Sequence, residues 1–211
     1  MAGLKLGMGA LAIALLASVS VAQACQGPTV LFQDDFSSLE PTWGSASNEV
    51  GVADHHMVLK PEANFTLWVP NTASLYDDVD VCADFTSVAA VDADHSYAGL
   101  IFWYVDDDNF YAFEYAANGN ASAWRRQRGR WLKQVDWQGV PSLKPNDGAT
   151  NQLRVVTAGT KATFYVNGNE FSSIKGALPS NGQQVGLIAS SPQNAVATYS
   201  IANFKVTEPA K

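Results

Sequence analysis

The fold is decided by residues 97–117, which read YAGLIFWYVDDDNFYAFEYAA. Two runs rich in aromatic and apolar residues, Tyr97–Val105 and Asn109–Ala117, lie on either side of three consecutive aspartates. Such runs favour extended strands, and a short polar segment between two of them favours a turn. The stretch therefore predicts a β-hairpin.

The same pattern of short strands and turn signals extends over the rest of the chain. After residue 24 no capped apolar stripe at 3.6-residue spacing continues for ten residues, so no helix is predicted. Turns are predicted at Asn118-Gly119-Asn120 and at Asn167-Gly168, where positive φ is favoured. Strands 57–60 and 65–69 are predicted to pair across Pro61. The predicted strands are 29–36, 57–60, 65–69, 76–87, 97–105, 109–117, 121–127, 131–137, 152–157, 161–166, 184–190 and 196–206.

About a dozen short strands indicate an all-β protein. With this many strands and no helix, two antiparallel sheets stacked as a β-sandwich, or jelly roll, are the expected architecture.

The first 24 residues have the features of a secretory signal peptide. Lys5 precedes a stretch of almost only apolar or small residues, 6–21, and Ala22-Gln23-Ala24 has the small-x-small pattern of a cleavage site. We expect cleavage after Ala24, which leaves residues 25–211 as one domain in the periplasm or outside the cell. An uncleaved membrane anchor and a lipid on Cys25 are the alternatives.

The charge balance argues against two classes of partner. The chain has 13 basic and 20 acidic residues and a net charge of −7, and loss of Lys5 with the signal peptide makes it −8. The one basic cluster, residues 125–130, lies in a predicted hairpin. An acidic protein of this kind is poorly suited to nucleic acid or to an anionic membrane. Neither partner is expected, and the protein is expected to be a monomer.

Cys25 and Cys82 are the two cysteines of the chain. In an exported protein such a pair most often forms a disulfide. Cys82 lies on the polar face of the predicted strand 76–87, together with Asp78, Asp80 and Asp84. A disulfide to Cys25 would therefore bring the N-terminal segment over that face.

Aromatic residues are concentrated between Tyr97 and Trp137, where 11 of the 23 Phe, Tyr and Trp residues occur. Side chains alternate between the two faces of a strand. If Leu100 and Phe102 face the core, Trp103 faces outward.

The same alternation turns further polar and aromatic side chains outward. An outward indole can stack on a sugar ring, and carboxylates and guanidinium groups can bond its hydroxyls. The alternative is an ordinary exposed sheet face on which Glu114 pairs with Arg126. The predicted ligand-binding residues are Trp103, Glu114, Arg126, Tyr165 and Trp124.

Evidence for catalysis or for a metal is weaker. The chain lacks a Glu-x-Asp-x-x-Glu motif, in which one strand would hold an acid and a nucleophile about 5.5 Å apart. Adjacent His55 and His56 would point to opposite faces and chelate poorly. No cofactor and no metal are therefore expected, with a structural calcium at 92–95 or 106–108 as the alternative.

Short motifs follow one another along most of the chain. They are Asp34-Asp35-Phe36-Ser37, Trp43, residues 97–102, residues 108–113, Gly129-Arg130-Trp131, residues 151–155, residues 164–168, Val185-Gly186-Leu187 and Asn203-Phe204-Lys205-Val206. Together they resemble the concanavalin A-like, laminin-G-like jelly rolls, over about Val30 to Val206. The nearest resemblance is to the 3-keto-disaccharide hydrolase-like domains of exported bacterial proteins. It implies the fold and permits an activity on glycosides, but it assigns no catalytic residue here.

These features favour an exported, non-catalytic module that binds a glycan or envelope polymer on one sheet face. One alternative is a hydrolase or lyase acting on a (3-keto) glycoside, and another is a structural envelope protein with a protein partner. An enzyme would have several carboxylates or histidines in one deep groove. A binding module would have exposed planar aromatics on a shallower one.

Overall fold

A computed structural model describes residues 25–210, and these form an all-β protein. They contain fourteen strands, one turn of 3₁₀ helix at Pro41–Trp43 and no α-helix. The strands are β1 Val30–Asp34, β2 Val50–Ala53, β3 His56–Leu59, β4 Thr66–Tyr76, β5 Asp80–Ala89, β6 Tyr97–Asp106, β7 Asn109–Ala116, β8 Asn120–Gln127, β9 Arg130–Gly139, β10 Thr150–Ala158, β11 Lys161–Val166, β12 Asn169–Lys175, β13 Gln183–Ser190 and β14 Thr198–Thr207. No helix within 25–210 is long and apolar enough to cross a membrane. The predicted signal peptide, residues 1–24, lies outside the described residues.

The strands form two antiparallel sheets that pack against each other, as the sequence predicted. Sheet A has the order β12-β11-β10-β5-β14-β3-β2, with β1 beside β14, and sheet B has the order β4-β13-β6-β7-β8-β9. The predicted hairpin is formed by β6 and β7, and the Asn167-Gly168 turn joins β11 to β12.

The structure differs from the sequence prediction at the edges of sheet A. Strand β2 has only four residues, and β12 is mostly polar, so neither gives a clear alternating signal. The predicted pairing across Pro61 is wrong, because β3 belongs to sheet A and β4 to sheet B. Pro61 has no backbone N–H to donate to a ladder, which suits a segment that crosses between sheets.

The core lies between the sheets and fixes which face of each strand is buried. Phe113 of β7 stacks on Phe164 of β11, with ring centroids 4.8 Å apart and ring planes 17° apart. Leu100 and Phe102 of β6 lie in the same core, as predicted. Burial of one such side chain stabilises the fold by roughly 2 kcal/mol. Residues that alternate with these on β6 and β7 must therefore face away from sheet A.

The N-terminal segment is attached to the outer face of β5 by a disulfide. Cys25 and Cys82 are bonded, with their Cα atoms 5.5 Å apart, which confirms the predicted pair. The backbone N–H of Gln26 donates to Asp80 Oδ2 at 2.8 Å, and Arg154 donates to both oxygens of Asp80 at 2.7 and 2.8 Å.

The predicted orientation of Trp103 is wrong. The alternation holds from Leu100 to Phe102, with Ile101 on the outer face. Trp103 then follows Phe102 into the core, where its side chain is 1% exposed. Tyr104 occupies the outer face in its place.

The cause is a β-bulge in β6. From Ile101 to Tyr104 the strand advances three residues while the facing strand β13 advances two. Trp103 is the residue with positive φ, 45°, and its backbone N–H donates to Gln183 Oε1 at 2.8 Å. An extra residue in one strand reverses the alternation beyond it. The sequence of β6 alone does not reveal this bulge, since its supporting Gln183 is eighty residues away.

We expect Trp103→Ala to lower the free energy of unfolding by about 3–5 kcal/mol, the usual cost of removing a large aromatic side chain from a core. Val105→Ala is the matched control, because Val105 is exposed on the same strand. Urea denaturation of both variants measures the effect. Equal midpoints for Trp103→Ala and the parent protein would contradict the core placement.

Removing the disulfide should also destabilise the protein. The Cys25→Ser/Cys82→Ser double variant is expected to lose roughly 4 kcal/mol, because the bond restricts a long loop of the unfolded chain. Urea denaturation with and without a reductant tests this. The reductant should lower the midpoint of the parent protein and leave that of the double variant unchanged. A parent protein insensitive to reduction would contradict the prediction.

Candidate functional site

A cleft opens on the outer face of sheet B, the face turned away from sheet A. All six strands of the sheet contribute to its lining, and its volume is about 280 Å³. We name it the aromatic cleft, after its most numerous side chains. The lining residues are Thr66, Tyr97, Glu114, Trp124, Trp131, Trp137 and Ser190.

The walls of the aromatic cleft are indole and phenol rings. Trp124 comes from β8, and Trp131 and Trp137 come from β9. Tyr97 packs beside Trp137, with ring centroids 4.6 Å apart. None of these three indole N–H groups donates to any residue within 25–210. The indoles of Trp43 and Trp68 both donate, and that of Trp103 in the core does not. The cleft therefore presents both flat apolar surfaces and free donors.

Irregular pairing of β9 brings two of the tryptophans to the cleft. Trp131, Val135 and Trp137 would share one face of a regular strand. Two register shifts between β8 and β9 change this, so that Val135 packs against the core while both tryptophans line the cleft. Bulges of this kind are common at sheet edges, and β9 is an edge strand of sheet B.

Glu114 forms the floor of the aromatic cleft and is 6% exposed. Its neighbours across the ladder are Gly99 on β6 and Ser122 on β8. Gly99 has no side chain, and a Cβ there would overlap the backbone carbonyl of Phe113. Ser122 donates its hydroxyl to the backbone oxygen of Val135, at 2.7 Å. The Glu114 carboxylate therefore accepts no hydrogen bond from the described part of the chain.

The burial of Glu114, with no hydrogen bond to its carboxylate, changes its pKa. Removal from water disfavours the charged form and raises the pKa of Glu114 to about 7. The pKa of Tyr97 is also raised, first by its burial and then by the charges of Glu114, Asp92 and Asp94. The electrostatic environment of the cleft is therefore negative when Glu114 is ionised.

Arg126 lies on the predicted face but has its own partners. Its guanidinium carbon is 5.0 Å from the ring centroid of Trp68 and 5.5 Å from that of Trp131. Its Nε donates to the backbone oxygen of Asp107 at 2.8 Å, and a terminal nitrogen lies 3.6 Å from a carboxylate oxygen of Asp108. Arg126 thus supports one wall of the cleft and does not pair with Glu114.

The structure brings two of the five predicted site residues, Glu114 and Trp124, into the lining of the aromatic cleft. Glu114, Trp124 and Arg126 lie on the outer face of sheet B, as predicted. Tyr165 lies on β11 of sheet A, beneath Arg154, with the guanidinium carbon 4.7 Å from the ring centroid. Trp103 lies in the core.

Sequence reasoning missed five residues of the lining. The concentration of tryptophans between 124 and 137 could have indicated two of them, while the others come from strands that only the sheet order brings close. The missed residues are Thr66, Tyr97, Trp131, Trp137 and Ser190.

A second, more polar cavity adjoins the aromatic cleft. Its volume is about 650 Å³, and we name it the polar cleft. The two share Thr66, Tyr97 and Ser190, so they lie side by side on the protein surface. Asn64 and Asp92 are among the further polar residues of the polar cleft.

A larger cavity on sheet A, of about 740 Å³, is a weaker candidate because its carboxylates already have partners. Asp84 accepts hydrogen bonds from Gln152 at 3.2 Å and Asn203 at 2.7 Å. Asp34 accepts from the indole of Trp43 at 2.7 Å and from the backbone N–H of Phe36. These groups stabilise the fold.

The acidic turns also form internal hydrogen bonds. Asp106 accepts from Asp108 N at 2.9 Å and from Asn109 at 2.8 Å, and Asp107 accepts from Trp68 and Tyr104. Within residues 25–210 no three His, Cys, Asp or Glu side chains are grouped so as to hold a metal ion.

Comparison with known proteins identifies the fold. No family model and no curated protein matches the chain. Among solved structures, a carbohydrate-binding module, CBM66, from Bacillus subtilis has a TM-score of 0.64 and 14% identity, covering 82% of this chain and 99% of that one. A galectin-like protein of unknown function from Bacillus subtilis has a TM-score of 0.61 and 11% identity, covering 88% and 98%. The potassium-bound Emp46p carbohydrate recognition domain has a TM-score of 0.59 and 10% identity, covering 85% and 100%.

These likenesses show a jelly-roll sandwich of the concanavalin A-like kind, which confirms the fold that the resemblance implied. The nearer resemblance to 3-keto-disaccharide hydrolase-like domains stays a prediction.

The buried carboxyl group of Glu114 should make stability depend on pH. Its pKa is about 7 in the folded protein, against an ordinary value of 4.5. Between these values the folded chain binds more protons than the unfolded chain, so the free energy of unfolding falls as pH rises. Over the 2.5 pH units between these values, at about 1.4 kcal/mol per unit, the loss is at most roughly 3.5 kcal/mol.

The Glu114→Gln variant should lack this loss, because its amide does not ionise. Chemical denaturation between pH 4.5 and pH 8 measures the stability difference between variant and parent. Glu170→Gln, which changes an exposed glutamate on β12, is the matched control. If the free energies of unfolding of Glu114→Gln and of the parent protein differ by the same amount at every pH, the prediction is contradicted.

Proposed function

We propose that this protein is an exported glycan-binding module and that it binds sugar rings in the aromatic cleft. The observation that carries the proposal is that the indole rings of Trp124, Trp131 and Trp137 line one cleft with Glu114, a buried carboxyl group that has no hydrogen-bond partner among the described residues. An apolar wall with a few convergent polar groups is the usual composition of a small-ligand site.

The aromatic cleft matches the two kinds of surface that a sugar presents. The C–H face of a sugar ring can stack on Trp124 or Trp137, as apolar groups pack on aromatic rings. Its hydroxyls can donate to Glu114, and hydrogen bonds to a carboxylate are stronger than bonds between neutral groups. The hydroxyls of Thr66 and Ser190, which bond each other at 3.2 Å, lie at the opposite side of the lining.

The two clefts together are longer than one sugar. The polar cleft continues from Thr66, Tyr97 and Ser190, and it adds amide and carboxylate groups suited to hydroxyls. We therefore propose an oligosaccharide or polysaccharide ligand, with one ring in the aromatic cleft and the next in the polar cleft.

Binding is better supported than hydrolysis. Glycoside hydrolysis generally uses two carboxyl groups, about 5–10 Å apart. Glu114 is the one carboxyl group in the lining of the aromatic cleft, although its raised pKa is of the kind a general acid has. The carboxyl group that lines the polar cleft, Asp92, already bonds the backbone N–H of Asp94 and the ring of His95.

Two further observations agree with the proposal. The Cys25–Cys82 disulfide is typical of an oxidising compartment outside the cytoplasm. Two of the similar structures are named for carbohydrate binding or recognition.

Substitution of the cleft tryptophans tests the proposal. The protein is first assayed against immobilised cellulose, xylan, chitin, chitosan and levan, with a reducing-sugar assay in parallel. With the polysaccharide that retains the parent protein, Trp124→Ala and Trp137→Ala should each weaken binding roughly three- to tenfold, as expected for loss of one stacking contact.

Tyr165→Ala is the matched control, because it removes an aromatic side chain from the opposite sheet. It should bind as the parent protein does. Unchanged binding in both tryptophan variants, or loss of binding in Tyr165→Ala, would contradict the proposed site. Release of reducing sugar that Glu114→Gln abolishes would favour the hydrolase alternative.

A further inference from the structure

Glu114 has no partner among the described residues, and this indicates which chemical class of ligand the aromatic cleft is suited to bind. A buried carboxylate without a partner is costly, and proteins usually pair such a group. In this chain the comparable carboxylate of Asp80, which is fully buried, has both oxygens bonded to Arg154. Glu114 is 94% buried, its carboxylate oxygens are open only to the cleft, and it has no such partner within the described residues.

Three cations on β8 and β9 are engaged away from Glu114. Arg126 is held by Trp68, Trp131 and the Asp107–Asp108 turn, as described above. Lys133 of β9 pairs with Asp136 at 2.9 Å, and Arg125 of β8 lies over the ring of Tyr111, which belongs to the core. Consistent with this, no neighbouring charge lowers the pKa of Glu114.

The walls of the cleft are also of the type that attracts cations. The face of an aromatic ring is the negative part of its quadrupole, and tryptophan is the most effective of the aromatic side chains. Trp124, Trp131, Trp137 and Tyr97 line one cleft with the Glu114 carboxylate. Trp131 already carries the Arg126 guanidinium, which leaves Trp124, Trp137 and Tyr97 for a ligand cation. Rings on several sides of a small cavity are the arrangement by which proteins recognise organic ammonium groups.

We propose that the aromatic cleft selects a positively charged sugar, whose ammonium group contacts Glu114 and is enclosed by the tryptophan rings. This inference rests on the proposed function and names the ligand class as unacetylated amino sugars. When it is protonated, the free amine of such a sugar carries one positive charge and three N–H donors. These match a carboxylate, which can only accept hydrogen bonds. The polar cleft beside it supplies groups for the hydroxyls of an adjoining sugar, which an isolated ammonium compound would not require.

A pair of matched oligosaccharides tests the inference. The β-1,4-linked tetramers of glucosamine and of N-acetylglucosamine differ only in whether the amine is free or acetylated. Isothermal titration calorimetry at pH 7, close to the pKa of about 7 of Glu114, so that the carboxylate and the ammonium forms are both populated, should give at least tenfold tighter binding of the glucosamine tetramer. Glu114→Gln should reduce this preference to less than threefold.

A charge control separates contact from general attraction. The chain is acidic, so a cationic oligomer is attracted to it at long range. Glu170→Gln removes one exposed negative charge from sheet A and should keep the full preference. An equal loss of preference in both variants would overturn the inference.

The remaining outcomes separate this inference from the proposed function. If the two tetramers bind equally, or the acetylated one binds better, the ligand is an uncharged sugar; the inference fails and the proposed function stands. If neither tetramer binds and no immobilised polysaccharide retains the protein, both the inference and the proposed function fail.

A second pair of probes distinguishes amino sugars from other ammonium compounds. Choline and 3,3-dimethyl-1-butanol have almost the same shape, and only choline is charged. Choline should bind more tightly than the alcohol and more weakly than the glucosamine tetramer. Choline binding tighter than the tetramer would overturn the assignment to amino sugars.

Discussion

The stacking of Phe113 on Phe164 across the two sheets is the contact on which the site depends. It fixes one face of β7 against sheet A, and the period of two along a strand then fixes the other face. Glu114, the next residue, must point away from the core. Its position at the bottom of the aromatic cleft thus follows from a hydrophobic contact made by its neighbour. A shift of one residue in the pairing of β7 would turn Glu114 toward the core and Phe113 outward, so that both the core contact and the site would be lost.

Two buried carboxylates in this chain illustrate the difference between a structural and a functional charge. Asp80 accepts hydrogen bonds from Arg154 and from the backbone beside the disulfide, so its burial is compensated within the protein. Glu114 is nearly as buried and has no such partners in the described chain. The fold retains an uncompensated group where the aromatic walls converge, which is the expected situation when the partner is supplied by a ligand.

The cleft itself is produced by departures from regular strand pairing. The bulge in β6 moves Trp103 into the core and puts Tyr104 on the outer face, where its hydroxyl donates to Asp107 at 2.7 Å. Asp107 also accepts from Trp68, and Arg126 packs between Trp68 and Trp131. The register shifts along β9 add the remaining wall. The irregular positions therefore decide which side chains reach the outer face around the cleft.

The sequence by itself determined the all-β class, the sandwich, the Cys25–Cys82 pair and the outward direction of Glu114, because each follows from local alternation or from cysteine chemistry. It also indicated Trp124 and Arg126. Only the tertiary structure decided that Trp103 is core, that Tyr165 belongs to the other sheet, and that Tyr97, Trp131 and Trp137 meet at Glu114. The physical reason is that bulges and sheet order depend on partners distant in the chain, such as Gln183 beneath Trp103, and no local pattern records them.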